Sequence, residues 1–433
     1  MSNCKEEILS EHIGLRHGYQ FRETDFTENG IQVIKIGNVT SDGLSLSANV
    51  SYVSSSREKE FESIIIREGD ILMSLTGNIG RVVEVKNLGN KILFQNYRVG
   101  VFYPLKDNIS KPFLKWILSS EEILRQLNSN SNQSAQANFG KQDLDKLKFK
   151  IPSIPEQLTI SKMLNTIEVV IEKTHTIITK YKAVKQGMLN DLFTRGIEVK
   201  TGKLRPKKED APELYKESEL GWIPKEWGIK KVEEIIEYPI RDFGSFSMTN
   251  LITFLEHGVL FIKTEAIQDG YIDYNKVSYI SKEVHHLLHK SIVNKGDVLF
   301  TKIGAIGRVA IYDSNEIANS NAASAKIRFK DENNKYYLAY KLNSNRVMRE
   351  FEKTIISTPP RINLGDINIM KLEIPQKNEQ DKIASIIKNI NNQIISEQSF
   401  LNKQLNLKSG LMADLLSGKK LVTLSSEIAT QTT

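Results

Sequence analysis

Three imidazoles lie close together in the run VHHLLH, at His285, His286 and His289. Histidines near one another can hold a divalent cation when an acidic or thiolate ligand completes the set. No such ligand accompanies them at metal-site spacing, so a solvated helix face is the better reading and no metal site is expected. Other chemistry is also missing from the sequence. It contains no Walker A loop and no Gly-rich dinucleotide fingerprint. It contains no nucleophile elbow and no zinc-protease motif. The Asn/Asp-Pro-Pro-Tyr loop of adenine methyltransferases and a Gly-rich loop for a methionine-derived cofactor are absent as well. The single cysteine, Cys4, excludes an internal disulfide framework and a thiolate metal cluster. The chain reads as non-catalytic and without a cofactor of its own.

The composition fits a binding role. A formal net charge of +7 suits a polyanionic partner such as DNA, although charge alone does not decide the matter. With 433 residues, 40% hydrophobic and 26% charged, the chain can build two or more cored domains. The opening MSNCKEEILSEHIG lacks the apolar core of a signal peptide. No apolar run approaches the roughly 18 residues of a membrane span, so a cytoplasmic protein with no membrane partner is expected.

The elements that must position any site occur twice. GDILMSLTGNIGRV (Gly69–Val82) and GDVLFTKIGAIGRV (Gly296–Val309) share eight of fourteen residues at an offset of 227. VIKIGNV from Val33 answers to FIKTEAI from Phe261. KLKFKIPSIPEQ from Lys146 answers to MKLEIPQKNEQ from Met370, and KQGMLNDLF from Lys185 to KSGLMADLL from Lys408, with the offset drifting to 223. Each copy is a β-rich segment followed by a long helix. Short β-branched runs such as 63–67, 70–75 and 81–85 read as strands, and 112–127 and 335–351 read as helices, so the fold class is α+β.

The first long helix is expected from the capping residues Ser153 and Glu156 to about Arg195, with Gly196 closing it. The second is expected from about Asn378 to Ser417, ending at Gly418. Apolar residues match between them at 223: Ile160/Ile383, Ile167/Ile390, Ile171/Ile394, Ile178/Leu401 and Leu192/Leu415. Met163/Ile386, Ile177/Phe400, Val184/Leu407 and Met188/Leu411 match likewise. The alternating spacing of threes and fours is a coiled-coil seam, and a rod of about 60 Å is longer than either domain needs. The helices are therefore read as packing on each other. The expected organisation is a first domain over 1–150, a helix over 151–196, a charged linker over 197–218, a second domain over 219–373, a helix over 374–418 and a tail over 419–433.

The chain resembles the specificity subunits of type I restriction-modification systems. The resemblance is carried by the strand block of Gly30–Val39, the Gly69–Val82 block, the junction Lys146–Gln157, the LFTRG helix end and the opener SELGWIPKEW (Ser218–Trp227). Two departures are visible: the first copy lacks the GWIPKEW opener and begins near 8–18, and Thr264-Glu265-Ala266 stands where the first copy has Ile36-Gly37-Asn38. The resemblance implies two target-recognition domains joined by an antiparallel coiled-coil spacer, each reading one half of a bipartite, asymmetric site on double-stranded DNA. It implies two modification subunits that methylate adenine N6 with S-adenosylmethionine. It further implies restriction subunits that use ATP and Mg, in a prokaryotic cytoplasm.

Base edges in the major groove are read by Arg, Lys, Asn and Gln on loops. The candidates in the first copy are Thr76, Asn78, Arg81 and the run Gln95, Asn96, Tyr97 and Arg98, with Asn132, Gln133 and Gln136 in a polar loop. In the second copy they are Lys302, Arg308, Asn319, Asn321 and Arg361. Shared residues such as Arg81/Arg308 suit scaffold or phosphate contact, since base readers must differ between copies. Asn78 against Ala305, and Gln95–Arg98 against 319–322, suit specificity better. Two rival readings remain: a coiled-coil adaptor whose β-rich domains bind a non-DNA ligand, and an enzyme that acts alone.

Overall fold

The structure is a computed structural model that describes residues 6–40, 43–131, 139–244, 246–355, 359–420 and 422. Cys4, Asn132, Gln133 and Gln136 lie outside the described residues. The chain forms two compact units, Met1–His175 with Phe400–Thr433, and Thr176–Ser399. The division crosses both long helices, so each unit contains part of each.

In the first unit, Phe26–Thr27, Tyr52–Val53, Ile31–Ile34, Leu93–Gln95 and Ile65–Ile66 form one sheet in that order. Its central pair, Ile31–Ile34 beside Leu93–Gln95, is parallel, with Gln32 opposite Leu93. A second sheet is antiparallel and runs Val82–Glu84, Ile71–Ser74, Val99–Pro104, Ile13–His17. All four residues of Ile71–Ser74 are buried, and strands covered on both faces lose the apolar–polar alternation of a half-exposed sheet. A ribbon of Glu6–Ile8 and Lys148–Lys150 joins the start of the described chain to the entrance of the first long helix.

The second unit repeats the plan. Ser278–Ile280, Val259–Ile262, Ala318–Ser320 and Ile292–Val293 form one sheet, again with a parallel central pair. Val309–Ile311, Val298–Thr301 and Ser324–Ile327 form the other. The ribbon is Gly228–Lys231 with Lys371–Ile374.

The stretches read as single helices before each junction are each two. Lys111–Leu118 and Glu121–Ser131 are separated at Ser119–Ser120. Lys335–Leu342 and Asn345–Glu352 are separated at Asn343–Ser344. The break lets both short helices turn an apolar face to the core, where Trp116, Ile117, Ile123 and Leu127 are all buried.

The first long helix is Ile154–Thr194 and the second Lys377–Leu416. Gly196 and Gly418 follow them with φ of +63° and +70°, the left-handed conformation that glycine adopts most cheaply at a helix end. The Glu-Gln pair at each entrance has a structural explanation. Gln157 is buried; its Oε1 accepts from Ser110 N at 2.8 Å, and its Nε2 donates to Asn108 O and Pro152 O. Gln380 does the same with Asn334 N and Pro375 O. Each glutamine thus ties its long helix to the loop that starts the preceding helical pair.

In the first unit, Ile160 and Leu164 near the start of the first helix pack with Leu411, Met412, Leu415 and Leu416 at the end of the second. Glu168 pairs with Lys115 and accepts from Lys408 at 3.0 Å. In the second unit, Leu192 and Phe193 pack with Ile383, Ala384 and Ile387. Starts meet ends in both cases, so the helices are antiparallel.

Of the expected seam, Ile160, Ile167, Ile171, Ile178, Leu192, Ile383, Ile390, Leu401 and Leu415 are buried and Ile394 is half-buried. Met163, Ile177, Val184, Phe400 and Leu407 are exposed, which corrects their assignment to the seam. Neighbours such as Ile177 and Ile178 point about 100° apart on a helix, so only one can face a narrow seam.

The 197–218 stretch, read as a charged linker, is folded. Ile197 bridges Leu204, and Tyr215–Ser218 pairs with Gly221–Pro224. Arg205 from this stretch forms a buried pair with Glu379, at 2.5 and 2.9 Å. Its charges are anchors that local periodicity does not reveal.

Candidate nucleic-acid interface

In each unit, two backbone turns are stitched together beside the C-terminal end of the parallel strand pair. In the first unit, Asn96 N donates to Ile34 O at 3.1 Å, and Leu75 N to Arg98 O at 2.9 Å. In the second, Asn321 N donates to Ile262 O at 3.2 Å, and Lys302 N to Ala323 O at 2.8 Å. These bonds set the true correspondence at Asn96/Asn321, Tyr97/Ala322 and Arg98/Ala323. The sequence comparison of Gln95–Arg98 with 319–322 is therefore one residue out of step.

The loop Thr76–Arg81 follows Leu75, and its partner follows Lys302. Ser74 Oγ donates to Asn78 O at 2.6 Å, and Thr301 Oγ1 to Ala305 O at 2.5 Å, so one hydroxyl closes each loop. Gly80 and Gly307 have φ of +89° and +88°. An added Cβ would come within 2.6 Å of Leu124 and 2.5 Å of Met348 respectively. These shared glycines hold the loop against the helical pair.

Several expected readers are structural instead. Gln95 is fully buried; its Nε2 donates to Arg16 O and Val99 O, and its Oε1 accepts from Arg16 Nε at 3.1 Å. Asn96 is buried, and its Oδ1 accepts from Arg98 N at 3.2 Å. Asn319 is fully buried; it meets His285 Nδ1 at 2.6 Å and donates to Leu288 O and Ser291 Oγ. Lys302 is buried and paired with Asp242 at 3.3 Å; burial lowers its pKa and Asp242 opposes that. A side chain whose polar atoms are all spent inside the fold, as those of Gln95 and Asn319 are, cannot also bond a base edge. His285 is likewise buried, which corrects its placement on a solvated face. No metal-holding cluster occurs among the described residues.

Other candidates are available at the surface. Asn78, Arg81 and Arg98 are exposed and Tyr97 is half-buried; Thr76 is half-buried too, but its hydroxyl oxygen is itself buried and has no hydrogen-bond partner among the described residues. Arg98 Nε donates to Tyr97 OH at 2.7 Å, and its guanidinium carbon lies 5.2 Å from the Tyr97 ring centroid. In the second unit Arg361 is exposed, while Arg308 and Asn321 are half-buried. Arg361 is held beside Ile303 by a backbone bridge.

One shared pair of cations escaped the list of sequence candidates. Lys35 Nζ lies 4.1 Å from the Phe26 ring centroid, and Lys263 Nζ lies 5.1 Å from that of Phe254. Each ammonium thus lies over a ring, and each also has a polar partner: Lys35 Nζ donates to Ser51 Oγ at 2.7 Å, and Lys263 Nζ pairs with Glu265 at 3.1 Å. The signal was in the aligned blocks VIKIGNV and FIKTEAI, where this lysine is identical.

The comparisons agree with this duplicated plan. The sequence profile of the Type I restriction modification DNA specificity domain matches residues 12–182 and 224–407. The type I restriction enzyme MjaVIII specificity subunit of Methanocaldococcus jannaschii is 25% identical over 378 residues, covering 83% of this chain and 80% of its own. The EcoBI specificity subunit of Escherichia coli is 24% identical over 326 residues, covering 73% of this chain and 64% of its own. The crystal structure of the S subunit of a type I restriction-modification system from M. genitalium aligns over 96% of this chain and 97% of its own, with a TM-score of 0.60 and 12% identity, and shares the fold. With both profile matches falling on the two copies that the fold repeats, the chain belongs to the type I restriction-modification DNA specificity family.

Proposed function

We propose that this chain reads a bipartite, asymmetric DNA site, each unit taking one half through the loop and turn described above. It is the non-catalytic, sequence-reading subunit of its system. The observation that carries the division of labour is the contrast at one matched turn: Tyr97–Arg98 in the first unit, Ala322–Ala323 in the second. Turns held by the same backbone bonds but bearing different side chains can read different bases on a common frame. The exposed Arg98 and Asn78 suit base edges, while the shared Lys35 and Lys263 suit phosphates. Arg81 and Arg308 also suit backbone contact, because both copies keep them.

The remaining parts belong to partners. Two modification subunits would methylate adenine N6 with S-adenosylmethionine on a base rotated out of the duplex. Restriction subunits would supply ATP- and Mg-dependent cleavage, in the cytoplasm of a prokaryotic cell. The domain limits 1–150 and 219–373 serve as the first guide for exchange experiments. Replacing residues 20–140 with those of another family member should change one half-site in a methylation map of the host genome and leave the other intact. A map with both half-sites altered would refute the modular reading. Steep salt dependence of DNA binding by the pure chain is expected, since released counterions contribute to affinity. A flat slope would favour the adaptor reading instead.

A further inference from the structure

Next to the second unit's reading turn lies a cavity of about 620 Å³. Phe243, Phe254 and Phe261 supply aromatic wall, and Asn321, Lys263 and Arg361 supply polar and cationic rim. Phe243 and Phe261 are buried in a small apolar cluster, whereas Phe254 is half exposed. The volume lies within the roughly 300–1,000 Å³ of pockets that enclose small molecules. Ala322 and Ala323 line it at the positions that hold Tyr97 and Arg98 in the first unit. Small side chains at this turn therefore leave open the space beside the ring cluster.

We infer that this cavity receives one unstacked nucleotide of the bound DNA, its base against the phenyl rings and its phosphate at Lys263 and Arg361. The inference rests on the DNA-reading function. Every base has a π face that an aromatic wall can replace as a stacking partner, at roughly 1–3 kcal/mol per base. Asn321, half-buried at the rim, offers a donor and an acceptor to a base edge. At the rim, Lys263 lies 3.1 Å from Glu265, and Arg361 adds a second cation. The two units would then differ in mode: the first projects Tyr97 and Arg98 toward the duplex, while the second offers a recess.

The test uses the full chain alone, so that no modification subunit can rotate a base. The probe is a duplex of the half-site that methylation mapping assigns to residues 219–373, with 2-aminopurine placed in turn at each position. A several-fold rise in fluorescence at one position on binding is expected. Ala322→Tyr, which fills the recess, and Phe254→Ala, at a half-exposed ring whose loss the fold should tolerate, should each abolish the rise. Each should weaken specific binding about tenfold, equivalent to about 1.4 kcal/mol. Preference for the mapped site without a rise at any position would overturn the cavity assignment alone. So would a rise that survives both substitutions, or binding of free deoxynucleoside monophosphates without any effect on the duplex. Failure of the wild-type chain to prefer the mapped duplex over a scrambled one would overturn the DNA-reading function and this inference with it.

Discussion

Glu379 and Glu156 occupy matched places at the starts of the two long helices, yet replacing them should have very different effects. The Glu379 carboxylate is buried and accepts four hydrogen bonds. They come from Ile197 N at 2.9 Å, Trp227 Nε1 at 3.1 Å and the Arg205 guanidinium at 2.5 and 2.9 Å. In Glu379→Ala the Arg205 guanidinium stays buried, with only the exposed Glu226 at 2.9 Å and Arg195 O at 3.1 Å left as partners among the described residues. Removing one member of a buried pair typically costs about 3–5 kcal/mol. At roughly 2–4 °C per kcal/mol for a unit of this size, the transition of the second unit should fall by about 6–20 °C. Among the described residues Glu156 accepts only from Ser153, N at 2.9 Å and Oγ at 2.6 Å, at the surface. Glu156→Ala should therefore cost about 1 kcal/mol or less. Glu379→Leu combined with Arg205→Met, which removes both charges, should recover much of the loss. The measurement is calorimetric and chemical denaturation of the full chain. Equal, small losses for the two alanine variants would mean that the buried pair does not anchor the 197–218 stretch, and the reasoning would fail.

Gln157→Ala and Gln380→Ala should each lower stability by about 2–3 kcal/mol, because buried backbone groups lose their partners; urea midpoints check this, and a loss under about 0.5 kcal/mol would contradict it. Gly196→Ala should destabilise the second unit even beside intact Glu379, since a Cβ there would lie 2.2 Å from the Glu379 carboxylate at a φ of +63°; thermal melting reads it. Lys341 gives a pH signature. Its burial, opposed by Glu373 at 3.0 Å, lowers its pKa to about 8, while the unfolded side chain keeps its proton to about 10.4. Between these values the unfolded chain binds the extra proton, so this group's contribution to stability should rise with pH from about 8. Lys341→Met should flatten that slope in denaturation curves taken up to about pH 10, where buried Tyr337, kept protonated by its burial, begins to act in the opposite sense. Finally, the pure chain should transfer no methyl group from labelled S-adenosylmethionine to DNA; incorporation of label would refute the non-catalytic assignment.

The sequence by itself determined the duplication, the long helices with their terminal glycines, the α+β class and the family. All of these rest on local chemistry repeated at a nearly constant offset. Gly196 and Gly418 stop helices because of their own backbone freedom, and the seam isoleucines follow the helical period wherever the chain goes. The tertiary structure decided which polar residues are free to meet a ligand. Gln95 and Asn319 look like readers in a string of letters, but neighbours distant in sequence, Arg16 for one and His285 for the other, use up their hydrogen bonds. The correspondence between the matched turns shifts by one residue because a loop gap is invisible to a fixed offset, and in a strand one residue exchanges the two faces. Arg205 and Glu379 lie 174 residues apart, and only folding turns a charged stretch into a buried anchor. The recess beside Ala322 follows from the same cause: two alanines have no function of their own until rings and cations from four separate segments are packed around them.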